Sequence, residues 1–88
     1  MDRTQTDGFF QKATLLYKMG VALLQLRDQG MPTPLIVGQI VAVEKLIEKF
    51  KAELDAAQFY PDDHENAILV TIRDVEELCY DLREELLG

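Results

Sequence analysis

Residues 35–54 read LIVGQIVAVEKLIEKFKAEL, and within them Ile36, Ile40, Val43, Ile47, Phe50 and Leu54 are spaced 4, 3, 4, 3 and 4 apart. That interval returns each side chain to one side of a helix of 3.6 residues per turn, so the six form a single core-facing stripe. Upstream, Gly30 offers a left-handed helix end, Pro32 forbids continuation, and Thr33 with Pro34 reads as a cap followed by a first-turn proline. The pattern fades after Asp55, and Gln58-Phe59-Tyr60-Pro61 reads as a second turn.

Two more helices flank this one. The first begins near Thr6 and Asp7, both good N-caps ahead of Phe9, and runs to about Gln29. The last opens on Asp62 with Glu65 three residues on, a capping-box spacing, and carries Ile68, Ile72, Val75, Cys79, Leu82 and Leu86 at the same 4, 3, 4, 3, 4 intervals. The β-prone run 68–72 lies inside this longer pattern, and no second strand candidate exists to pair with it. Helices over about 7–29, 34–57 and 62–87 with short connections predict an all-α fold, an antiparallel up-down-up three-helix bundle forming one domain over 1–88.

Length and composition agree with one globular unit: 88 residues, 48% apolar and 28% charged. The single cysteine, Cys79, cannot close an intramolecular disulfide. With Asp2 and Asp7 around Arg3 and no apolar run behind them, it points to a cytoplasmic protein without a signal peptide. Lys18, Gln25, Gln39 and Glu44 interrupt the apolar stretches, so membrane insertion is not expected. A formal net charge of −7 repels phosphate backbones, so direct nucleic-acid binding is not expected either.

No metal-ligand spacing, phosphate loop or hydrolase signature is present, and no enzyme, cofactor or metal is expected. The nearest approach to a reactive cluster is Asp62, Asp63, His64 and Glu65, which supplies the alternative of a metal-assisted or histidine-dependent phosphorelay function. Helix capping explains these carboxylates without an ion, and their charge would repel a phosphoryl group at His64. Cys79 falls on the apolar stripe between Val75 and Leu82 and reads as a small hydrophobe.

Two features exceed what a bundle needs. The first helix is apolar on three stripes, among them Phe10, Tyr17, Val21 and Leu24, and Leu15, Met19, Ala22 and Leu26. The start of the second helix adds Val37 and Val41. Such a surplus predicts a homodimer or higher oligomer assembled through Tyr17, Val21, Leu24, Val37 and Val41, and glycines at 20 and 38 suggest close helix approach.

The second feature is charge. Residues 1–30 hold four basic and three acidic side chains, 31–57 three and four, and 58–88 two and nine. Asp74, Glu77, Asp81 and Glu84 make an acidic stripe opposite the apolar one. Together these features predict a non-enzymatic protein–protein interaction module, an adaptor, small helical chaperone or inhibitor, whose acidic third helix meets a partner with a basic surface. The alternative within binding proteins is an apolar groove that accepts an amphipathic helix of a client.

Overall fold

The computed structural model describes residues 3–88, of which Arg3 by its backbone alone. Met1 and Asp2, which the single-domain reading includes, lie outside the described residues. Three helices account for nearly all of the rest: α1 (Arg3–Asp28), α2 (Thr33–Ala56) and α3 (Asn66–Leu87), with no strand among the described residues. Each helix packs against both others in a bundle 43 Å long and 19 by 17 Å across.

The stripes meet along the axis. All six expected residues of α2 are buried, as are Ile68, Ile72, Val75, Cys79 and Leu82 of α3, while Leu86 near the open end is only half-buried. From α1 the stripe Phe9, Ala13, Leu16 and Leu23 closes the core. At one end Phe9 stands edge-on to Phe59, with ring centroids 5.6 Å apart, and tilted against Phe50 at 5.9 Å. This cluster joins α1 to α2 and to the connection beyond it.

Helix ends follow local chemistry, with three corrections to the sequence reading. Thr6 and Asp7 do not cap α1, which already runs from Arg3. Thr6 sits one turn before Phe9 on the buried side, and its hydroxyl donates to Glu65 Oε2 at 3.1 Å, so a tertiary partner replaces the cap. Thr33 does not cap α2 either. Pro32 takes that place, its carbonyl accepting from the amides of Leu35 and Ile36, because the fixed φ of this proline turns the chain inward one residue earlier. The Asp62 box forms as expected, with Glu65 N donating to Asp62 Oδ1 at 2.7 Å and Asp62 N to Glu65 Oε1 at 3.3 Å. However, 63–65 form a turn and regular helix begins only at Asn66.

α1 and α2 close in the same manner. After α1, Gly30 at φ +79° lets its own amide reach Arg27 O and that of Met31 reach Leu26 O. After α2, the amides of Gln58 and Phe59 reach Asp55 O and Leu54 O, but the residue in the left-handed position, at φ +52°, is Gln58. A side chain there costs about 1 kcal/mol that glycine avoids. Gln58→Gly is therefore expected to stabilise the fold by up to about 1 kcal/mol, read as a higher urea midpoint at unchanged slope. An unchanged or lower midpoint would mean that the Gln58 side chain compensates for its backbone.

Candidate interaction surfaces

Three long grooves separate the helices, and they differ in what lines them. Between α1 and α2, Leu15, Leu16 and Met19 face Leu46 and Phe50, with Lys12, Lys49 and Glu53 on the rim. Lys12 is ion-paired with Glu53, so the rim keeps one net positive charge, that of Lys49. Leu15 remains 54% exposed and Leu46 42%. Leu35, 58% exposed, and Ala42 precede Leu46 by 11 and 4 residues and extend the same stripe toward the start of α2.

Between α2 and α3 the lining is acidic: Glu44, Glu48, Glu76, Glu77 and Asp81 surround Ile47 and the exposed ring of Tyr80. Two of these carboxylates are already occupied. Glu44 pairs with Arg83, and Glu76 accepts from Lys51 Nζ at 3.0 Å. These pairs link α2 to α3 and, being largely solvated, contribute at most about 1 kcal/mol each.

The groove between α1 and α3, about 450 Å³, mixes both characters. Leu24, Leu78 and Leu82 floor it, while Asp74, Glu77 and Asp81 stand along its α3 edge. At its far end Arg27 reaches across to Glu85 at 3.2 Å and holds Asp28 at 3.1 Å. The hydrogen bonds that Arg27 donates to Asp28 and the charge of Glu85 push its guanidinium above the ordinary pKa. This pairing explains Glu85, whose charge the dipole at that helix end opposes. Upstream on the same side, the Gly20 backbone lies beside Leu78 and Val75, at ordinary van der Waals range for a methyl group. A methyl group on Gly38 would meet only open space, so neither glycine marks a close helix crossing.

All four residues of the acidic stripe, Asp74, Glu77, Asp81 and Glu84, are exposed. Among the described residues no cation pairs with Asp74, Asp81 or Glu84, and Glu77 has only the long 3.6 Å contact with Arg73 one turn back.

The five residues expected to self-associate do not share one patch. Tyr17, 53% exposed, and the half-buried Val21 lead by spacings of 4 and 3 to Leu24, which lines the α1–α3 groove. Val37 and the 37% exposed Val41 lead instead to Glu44 and Glu48, which line the α2–α3 groove. Helix α3 stands between the two sets. Leu46, which the sequence reading passed over, was signalled by the run Leu35, Ala42, Leu46 beside the core stripe.

The cluster at 62–65 is committed to structure. Asp62 and Glu65 cap each other, Glu65 also holds Thr6, and the exposed imidazole of His64 lies 5.2 Å from the ring of Phe10. Among the described residues no three His, Cys, Asp or Glu side chains converge as a metal-holding group. Cys79 is fully buried, and burial, helped by the charges of Glu44 and Glu76, pushes its thiol up to about 11. A thiol held protonated in this way is a poor nucleophile. No helix among the described residues is long and apolar enough to cross a membrane. No protein-family model, curated protein or solved structure matches this chain.

Proposed function

We propose that this chain is a non-enzymatic interaction module that pairs with a second copy of itself through the α1–α2 face and offers its acidic third helix to a basic partner. The observation that carries the reading is the apolar strip of Leu15, Leu35 and Leu46, left outside the core on a flank whose rim bears little net charge. Two such strips meeting about a twofold axis would each cover the other, with Lys49 the one charge unpaired among the described residues that each rim brings to the contact.

Within the bundle, the helices run up-down-up. The pairings Lys12 to Glu53, Lys51 to Glu76 and Arg83 to Glu44 support that order, since in each case a later residue on one helix meets an earlier one on its neighbour. The buried, unpaired Cys79 supports a reducing, cytoplasmic setting.

Sedimentation at several concentrations tests the pairing. The wild-type chain is expected to run as a dimer at micromolar concentration, and the double substitution Leu15→Glu, Leu46→Glu to run as a monomer. Because both positions are more than one-third exposed, helicity should be unchanged. A wild-type monomer at every concentration would remove this reading of the apolar strip.

A further inference from the structure

Resting on the reading of the chain as an interaction module, we propose that the α1–α3 groove is its specific site, and that its occupant is a basic amphipathic helical segment of another protein. The sequence offered an acidic stripe and an apolar surplus as separate features. The fold sets them side by side: Tyr17, Val21 and Leu24 follow one stripe of α1, and Leu24 shares its groove with Asp74, Leu78 and Asp81. An amphipathic helix lays its apolar side chains along such a floor, and lysine or arginine on its flank then meets the carboxylate edge.

The floor decides among the grooves, and charge among the occupants. Glu77 and Asp81 border both grooves of α3, but the α2–α3 groove sets them around Ile47 and Tyr80, whereas the α1–α3 groove adds a floor of Leu24, Leu78 and Leu82 and the carboxylate of Asp74, which pairs with no cation among the described residues. A second copy is a poor occupant of the α1–α3 groove, because a twofold contact would set Asp74, Glu77 and Asp81 against their own equivalents and like charges at an interface cost affinity. The α1–α2 flank, with Lys49 as its one unpaired rim charge against three carboxylates here, carries a smaller penalty. An acidic peptide meets the same repulsion, and a purely apolar one leaves the carboxylates without partners.

The probe is a synthetic leucine–lysine peptide of about 18 residues, about 27 Å long as a helix, with leucine at helical spacing. Titrated into the full chain and followed by two-dimensional NMR, it is expected to bind saturably and to shift the signals of Tyr17, Val21, Leu24 and Asp74. Affinity should fall on the order of tenfold or more in Asp74→Lys, Asp81→Lys, and should weaken as salt is raised. A scrambled peptide of identical composition and an analogue with glutamate for lysine should bind far less.

Equal binding of either control, shifts confined to the α2–α3 groove, or no saturable binding would overturn the proposal. So would a change of oligomeric state in the Asp74→Lys, Asp81→Lys variant, which would seat a second copy in the groove. Sedimentation of the same samples separates the two readings. A dimer that ignores the peptide loses only the groove, and a monomer that binds it loses only the self-pairing.

Discussion

Replacing Phe9 by alanine is expected to lower the free energy of unfolding by about 4 kcal/mol, within the range of about 3 to 5 for truncating a buried aromatic side chain. The ring is 6% exposed and touches Phe50 on α2 and Phe59 in the connection that leads to α3. Its loss removes apolar burial and two aromatic contacts at once, and the helices around it cannot collapse onto the gap without moving the Gln58 turn. Urea denaturation should give a much lower midpoint at a similar slope. Phe10→Ala is the comparison: this ring is only half-buried and lies against the exposed His64, so its truncation should cost well under half as much. A loss below about 1 kcal/mol for Phe9 would mean that the aromatic cluster is loose and that the bundle is held elsewhere.

How much of this molecule can be read from its sequence depends on whether periodicity or packing decides the matter. The stripes of α2 and α3 were legible, since Ile36 through Leu54 and Ile68 through Leu82 need only the period of a helix. Gly30 was legible as a helix end for the same local reason. Gln58 in the left-handed position was not, because glutamine carries no conformational preference that would announce it. Thr6 was misread since a threonine near a helix start serves equally as a cap or as an interior donor. Its choice depends on Glu65, 59 residues away.

The surfaces show a subtler limit. Three amphipathic rods can be arranged with the second helix on either side of the first, and both arrangements bury identical stripes. Periodicity therefore identifies Tyr17, Val21 and Leu24 as one stripe, and Leu15 and Met19 as another, but not which neighbour each will face. The fold puts the first beside the carboxylates of α3 and the second beside Leu46 of α2. That assignment changes the chemistry: one apolar strip acquires an acidic border and the other a border with the single unpaired charge of Lys49, which is what divides the occupants proposed for them.

Cys79 gives the other large expected effect, a loss of stability confined to alkaline pH. The side chain is wholly inaccessible, and its thiol titrates at about 11 in the folded chain against an ordinary 9.0. Desolvation is the main cause; Glu44 and Glu76 add to it, and Arg83 opposes it. Below pH 9 both folded and unfolded thiols keep their proton, and Cys79 makes no pH-dependent contribution. Between 9 and 11 the unfolded thiol ionises while the folded one does not, so the unfolded state binds fewer protons and stability falls as pH rises. Two pH units of separation correspond to about 2.7 kcal/mol. Tyrosines and lysines titrate in the same window, so the effect is isolated by comparison with Cys79→Ala. The difference in unfolding free energy between the two proteins should be constant up to about pH 8.5. It should then shift by 2 to 3 kcal/mol against the wild type by pH 11. A difference that stays flat across that range would mean that the thiolate is as well accommodated inside the bundle as in water, against the desolvation that burial imposes.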